Sequence, residues 1–563
     1  MAELALGAIG LVGIIDVCHH WGNELVAACH AFARAESRLN ESIVRVEACW
    51  LRIQSQMGLV RRLEPLLDAW HCNVQQRTLE VLLVKLRAAN IKLEGLMKPS
   101  QAPIDGSSEQ LGTAKAKRFK YVFVRDSLAE AITDLESWQA VFDPSWYLMM
   151  KMASPEVDRQ LEVGIIKSMS GLENYASRSP VTTIPAARYV RRAIHTTDDE
   201  AARSTVLLPA DGLLPSSMKI VPFSPAKLAR RTDNGDIVIL DTVTCTSNPH
   251  ATAVKRDIRN FALRLKHADP FAFGLLQCKG ILQDEDEKAA AGDLSFVFRL
   301  PPAHTEVQSL RQRLLSGPAG QHDSLSGRLD LARQLVNAVS YVHLYDFVHK
   351  NIRPETILII SQNMSTPSVP GASGDGSGND GIQGNETAVL VGFDVLRDVD
   401  GKTLRLGDDK WERNLYRHPR RQGGIPAADY EIRHDIYSLG VCLLEIGLWD
   451  SFVVYDKPGT DLETDEEEKG PGLGSGLGAS DMSGADLLKA PETVKNHLLS
   501  LARGSLRRKV GTKYSKVVET CLTCLDSGNE DFGDETEFKD ELGIAVGVRY
   551  IEKVVAKLGE VAI

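Results

Sequence analysis

"HKNIRPETILI", residues 349–359, lies between two segments of different period. Before it, "LDLARQLVNAVSYV" (Leu329 to Val342) repeats its apolar residues at helical spacing, and after the turn "ILI" begins an apolar run of strand type. Pro354 fixes one φ of the turn and disfavours helix at Arg353. The stretch therefore predicts helix, tight turn and strand, inside a domain that mixes α and β elements.

With the motifs that follow it in order, this segment resembles the protein kinase fold. Where that family reads H-R-D-L-K-P-E-N, this chain reads His349, Lys350, Asn351, Ile352, Arg353, Pro354, Glu355, Thr356. The resemblance implies that Asn351 replaces the aspartate that takes the substrate proton, and Thr356 the asparagine that holds magnesium. An amide is no general base near neutral pH, and proton transfer contributes about 10²–10⁴-fold in rate. "VGFDVLRD" at 391–398 resembles the D-F-G station, with Gly392 in the aspartate position, Phe393 retained and Asp394 where glycine belongs. "VILD" at 238–241 resembles the strand that carries the phosphate-binding lysine, but it ends in Asp241, a charge that repels nucleotide. "TAVK", ending at Lys255, lies too close to "HADPFAFGLL" for a strand and is read as opening a helix. The only glycine between 216 and 240 is Gly235, a hairpin signal in "TDNGD", so no glycine loop is present to cover phosphates. "YRHPRR" at 416–421 stands in place of A-P-E, and "HDIYSLGVCLLEI" at 434–446 resembles the long central helix, with Asp435 propping the catalytic-loop backbone. The resemblance thus implies a pseudokinase: no enzyme, no metal and no cofactor, with metal-free ATP binding left open. An unorthodox kinase would need a rescuing carboxylate, Asp394 or Asp346.

The first third of the chain reads as a helical bundle. Leu39, Ile43, Val46, Trp50, Ile53, Met57 and Val60 step by three and four, as do Leu79, Leu82, Leu86, Leu93 and Leu96, and Leu128, Ile132, Leu135 and Trp138. "KPSQAPIDGSSEQLG" at 98–112 is read as a loop. In "KAKRFKYVFVR" (115–125), Lys115, Lys117, Arg118 and Lys120 are candidates for anionic lipid headgroups at about 1 kcal/mol each, set against a plain solvated helix start. The N-terminal run Leu4, Leu6, Gly7, Ile9, Gly10, Leu11, Gly13, Ile14, Ile15 is shorter than the roughly 20 residues of a fixed membrane span. Its glycines at 7, 10 and 13 suggest close packing, either of a buried first helix or of a segment conditionally released into lipid.

"LGAIGLVGIIDVC", the Trp21–Leu25 stretch and "DPSWYLMM" (143–150) resemble the fungal HeLo and HeLo-like domains of cell-death effectors, of the prion-inhibition and propagation type, over residues 1–175. The resemblance implies that Leu4 to Ile15 stays in the bundle until activation and then enters the plasma membrane, with Asp16, His19 and His20 marking its polar edge. It also implies self-association through the bundle, anionic membrane lipids as partners on activation, and an upstream activator. A net charge of −10 argues against a nucleic-acid partner, and nine scattered cysteines fit a reducing compartment, so the expected location is cytoplasmic, to which the resemblance adds conditional plasma-membrane association. Residues 176–215 read as a linker with one short helix, and a second domain is expected from Pro215, spanning 216–563 with disordered insertions at 363–386 and 456–485. The expected fold class is an all-α bundle followed by a bilobal α+β kinase-like domain. The arrangement resembles the mixed-lineage kinase domain-like cell-death executors, and implies a pseudokinase controlling a membrane-acting bundle. A non-lytic signalling adaptor is the competing reading.

Overall fold

The computed structural model describes residues 10–33, 40–97, 109–152, 154–162, 183–195, 206–245, 251–283, 292–302, 304–316, 324–362, 386–398, 409–455, 471–478, 489–532 and 544–561. The chain divides into two units, Met1–Arg192 and Ala193–Ile563.

Four long helices make the first unit: α1 Leu11–Ala33, α2 Asn40–Leu63, α3 Ala69–Met97 and α4 Glu109–Leu148. α1 and α4 each pack against both α2 and α3. The core is the set of three-four stripes: Ile43, Val46, Trp50, Ile53, Met57 and Val60 of α2, Leu79, Leu82, Leu86 and Leu93 of α3, and Leu128, Ile132, Leu135 and Trp138 of α4 are all buried. Leu39 and the Leu96 side chain lie outside the described residues. One polar knot crosses this core, where Asp143 accepts hydrogen bonds from Arg52, from Gln56 at 2.7 Å and from Gln139 at 2.8 Å.

α1 runs through Asp16, His19 and His20, the expected polar edge, and on through Trp21 to Ala33. Of the proposed membrane run, Leu4, Leu6, Gly7 and Ile9 lie outside the described residues, while Leu11, Ile14 and Ile15 are buried core. Gly10 precedes the helix, and among the described residues a Cβ there would meet nothing within 4 Å. Close approach falls one turn after Cys18 on the buried face, at Gly22, whose Cβ would stand 2.1 Å from the Trp50 ring. α4 begins at Glu109, inside the expected 98–112 loop, so Lys115, Lys117, Arg118 and Lys120 sit on its first turns, with side chains outside the described residues. No described helix is long and apolar enough to cross a membrane.

Helix α5, Thr183–His195, falls in the expected linker, yet its Arg191 is buried and tied to the bundle. Its guanidinium donates to both Asp158 oxygens at 2.6 and 2.8 Å and to the carbonyls of Met150 at 3.1 Å, Met152 at 2.6 Å and Ser154 at 2.8 Å.

The second unit opens on a five-stranded antiparallel sheet, ordered β1-β2-β3-β5-β4. Its strands are β1 Leu213–Ile220, β2 Lys227–Arg231, β3 Ile237–Val243, β4 Cys278–Gln283 and β5 Leu294–Arg299. Pro215, expected to start the domain, lies inside β1, and Leu207 already bridges to Ile281. Gly235 turns the β2–β3 hairpin at φ +71°. Helix α6, Ala251–Arg264, contains Lys255 and packs on β4. There follow β6 His304–Ser309, α7 Leu310–Leu315, α8 Leu325–Leu344, β7 Phe347–Val348, β8 Ile357–Gln362, β9 Thr387–Leu390, β10 Arg397–Asp398 and α9 Ile432–Leu448. β6-β8-β9 form a second antiparallel sheet, and β7 pairs with β10. Every residue of α9 is buried, and it packs between α8 and the later α11 (Thr512–Leu522). β11 Val453–Val454 pairs with β12 Gly472–Leu473, and α10, Pro491–Leu501, precedes α11.

Residues 471–478 correct the expectation of disorder over 456–485. They carry β12 and a 3₁₀ turn, Ser475–Leu477, and the glycine richness serves close packing: a Cβ on Gly474 would lie 2.0 Å from the Ser451 carbonyl oxygen. Residues 363–385, 456–470 and 479–488 lie outside the described residues. The fold is therefore a helical N-terminal unit followed by a unit of antiparallel sheets and helices.

Candidate functional site

The loop after β7 is held from beneath by one carboxylate. Asp435, on α9, accepts the backbone N–H of His349 at 2.8 Å and of Lys350 at 2.9 Å, the Tyr430 hydroxyl at 2.6 Å, and a hydrogen bond from His343 at 3.1 Å. Burial alone would raise its proton affinity, but the histidine and tyrosine partners outweigh it and hold the carboxyl below its usual range. Lys350 takes the left-handed region at φ +67°, a conformation that side chains adopt only when held. His349 Nε2 donates to the Val391 carbonyl at 3.0 Å, and its Nδ1 accepts the Asn351 N–H at 3.2 Å, which fixes a neutral ring. Burial pushes its pKa down to about 4.

The side chains at the chemical stations are bonded to one another. Asn351 donates from Nδ2 to Asp394 at 2.7 Å, and its Oδ1 accepts from Arg353 at 2.9 Å. The Thr356 hydroxyl donates to the Asn351 carbonyl at 2.7 Å and accepts the Arg353 N–H at 3.2 Å, closing the turn on itself. Asp241, at the buried end of the "VILD" strand, reaches across to the next segment. Its Oδ2 accepts the N–H of Gly392 at 2.8 Å and of Phe393 at 2.9 Å, and Oδ1 is buried without a hydrogen-bond partner. Burial, reinforced by the Asp394 charge and opposed by these two N–H donors, pushes Asp241 up to about 7. The acid read in the sequence as a nucleotide-repelling charge is thus a latch on the Gly392 turn.

No family model and no curated protein matches this chain. The arrangement must be judged on its own geometry. Gly392 has φ +82°, and a Cβ there would lie 2.2 Å from Thr356 Cγ2, so glycine is the residue that lets the two motifs touch. Gly392→Ala should cost at least about 3 kcal/mol through the left-handed φ and the clash together. Urea denaturation should show it, and a loss under 1 kcal/mol would mean that the turn readily relaxes. Phe393 seats this turn in an aromatic stack, with ring centroids 4.9 Å from His349, 4.8 Å from Phe261 of α6 and 5.8 Å from Phe296 of β5. The stack continues from Phe261 to Phe347 at 4.9 Å.

Of the two carboxylates considered as a rescuing base, Asp394 is bonded to Asn351, and Asp346 faces Arg264 at 3.9 Å. The nine positions compared in the sequence with kinase motifs fall into one connected set around the turn, except that Asp435 acts from below and Asp241 from the facing sheet. Sequence reasoning missed Arg311. Fully buried on α7, it donates to Glu355 at 3.1 Å, Glu445 at 2.9 Å, Ser451 at 2.5 Å and Tyr416 at 2.5 Å. The signal was available as Glu445, a charge within the apolar "GVCLLEIGL". The membrane and headgroup candidates belong to the other unit, Met1–Arg192.

Proposed function

We propose that this chain is a regulated cell-death effector in which a kinase-like domain without phosphotransfer chemistry restrains a membrane-targeting helical bundle. The observation that carries the reading is the polar circuit at the former chemical stations. Asn351 bonds both Arg353 and Asp394, Thr356 bonds the backbone of Asn351 and Arg353, and one Asp241 oxygen takes the N–H groups of Gly392 and Phe393. A site that moves phosphate keeps a base and a metal-binding carboxylate free to meet substrate. Here the scaffold is retained and the chemistry is absent, which suits a domain that acts by binding and by changing shape. The long first helix, with Leu11, Ile14 and Ile15 in the core, supports the other half: an apolar N-terminal segment stored in a folded bundle.

Dye release from anionic vesicles tests it. Residues 1–195 should cause leakage and the full chain should not; the fragment runs to 195 because Arg191 ties α5 to the bundle. Glutamate at Leu4, Leu6 and Ile9 should abolish leakage while leaving Leu11, Ile14 and Ile15 in place. A folded fragment that leaves vesicles intact would transfer the argument to a non-lytic adaptor, and labelled phosphate incorporated by the full chain would revive the atypical kinase.

A further inference from the structure

Two buried N–H donors near the start of α9 lack an acceptor among the described residues. His418 stands just before the 3₁₀ turn Pro419–Arg421, and His434 lies in the first turn of α9. Both are 2% exposed, and their rings meet edge to face with centroids 5.9 Å apart. The backbone sets the tautomer of each. His418 Nδ1 accepts the N–H of Arg420 at 3.3 Å, and His434 Nδ1 accepts the N–H of Glu431 at 3.1 Å. Burial opposes a charge on either ring, so both are neutral, and with Nδ1 accepting, the one proton of each ring sits on Nε2. Neither Nε2 has a hydrogen-bond partner among the described residues. A buried donor without an acceptor carries its full desolvation cost, and two such donors on adjacent rings call for an acceptor that is not part of the chain.

The surroundings decide its charge. The charged side chains that act on His418 are Lys495, Arg420 and Arg433, and those that act on His434 are Arg421 and Arg433 against Asp435. Asp435 is committed to the N–H groups of His349 and Lys350 and to the Tyr430 hydroxyl. Donors in a positive field select an anion. A metal ion does not fit, because it needs a ring lone pair, and on both histidines that lone pair is on Nδ1 and is spent on a backbone N–H. Aromatic carbon packs against the pair, with Tyr437 5.1 Å from His418 and Tyr430 5.0 Å from His434 between centroids. A phosphate group would bring at least three strong acceptor oxygens to two donors, whereas a halide brings one acceptor centre.

We propose that His418 Nε2 and His434 Nε2 together bind one monovalent anion of chloride size, which ties the 418–421 turn to the start of α9. The residue after His434 is Asp435, which holds the backbone of His349 and Lys350, so the ion braces the support of that loop.

Urea unfolding of the full chain at neutral pH, with sodium chloride exchanged for sodium gluconate at constant ionic strength, tests this. Since only the folded state holds the ion, the folded-to-unfolded ratio of the second unit should rise about tenfold for each tenfold of chloride above the dissociation constant. Bromide soaked into crystals should give an anomalous peak in contact with both Nε2 atoms. His434→Phe keeps an aromatic ring and removes the donor, so it should flatten the chloride dependence and empty the peak. His434→Gln, which can still donate, should keep part of both. Should His434→Phe fail to fold, the bromide peak in the unaltered chain and in His434→Gln decides. Equal ratios in chloride and gluconate, or an ordered water in the place of bromide, would overturn the proposal.

Discussion

Arg311→Met should be the most damaging single substitution in the second unit, costing about 3–5 kcal/mol, since removing one member of a buried ion network strands the others. The guanidinium is 0% exposed and faces Glu355, at 6%, and Glu445, at 0%. Burial opposes ionisation of both acids. For Glu355 the attraction of Arg311 and Arg353 outweighs burial and holds the pKa at about 2, whereas Glu445 stays raised by burial despite Arg311. Glu355 is thus ionised at neutral pH. In Arg311→Met both carboxyls face a water-free interior and protonate far more readily, so the damage grows as pH rises. Urea unfolding at pH 6 and pH 8 should show the larger deficit at pH 8. Equal deficits would mean that methionine merely packs badly. Replacing Arg311, Glu355 and Glu445 together by apolar residues should recover much of the loss, because the three desolvation costs then vanish at once.

Legibility followed periodicity. The α2, α3 and α4 stripes predicted buried faces, because a helix shows its core side every three to four residues and no distant partner changes that. The 349–359 turn was readable for a similar reason: Pro354 and the change of period are local signals. Partners were not readable. Nothing near Asp241 in the sequence announces the N–H groups of Gly392 and Phe393, 151 and 152 residues away. Arg311 likewise meets Glu355 and Glu445 across 44 and 134 residues. Glycine-rich composition pointed to disorder around Gly474, which instead admits the Ser451 carbonyl. A composition rule cannot tell a glycine that loosens a chain from one that lets two backbones touch.

Mild acid should weaken the second unit steeply, and the count of buried titrating groups fixes how steeply. His349, His418 and His434 are at most 2% exposed, and burial pushes them from 6.5 to about 4, about 2 and about 3. A base depressed in the fold contributes stability that is present above its unfolded pKa and lost as pH falls. Below pH 6.5 the unfolded chain therefore takes up three protons that the fold refuses, each worth about 1.4 kcal/mol per pH unit. Asp241 works the other way. Its carboxyl, raised from 3.8 to about 7, binds a proton in the fold before the unfolded chain does, and stability rises as pH falls between those values. The net difference is two protons, or about 2.7 kcal/mol per pH unit, which removes about 4 kcal/mol between pH 6.5 and 5, a large share of a typical domain's 5–15 kcal/mol. Glu445, raised by burial, acts in the same sense as Asp241, while Glu355 and Asp435, held low, matter only in stronger acid. Asp241→Asn separates the terms. It removes the opposing proton, so the slope should steepen to about 4 kcal/mol per pH unit, while His434→Gln should shallow it by about 1.4. Chemical denaturation across pH 5–7 reads all three proteins. A wild-type slope below one proton would mean that the buried histidines are protonated in the fold, and an unchanged slope in Asp241→Asn would mean that the latch carboxyl is already ionised throughout.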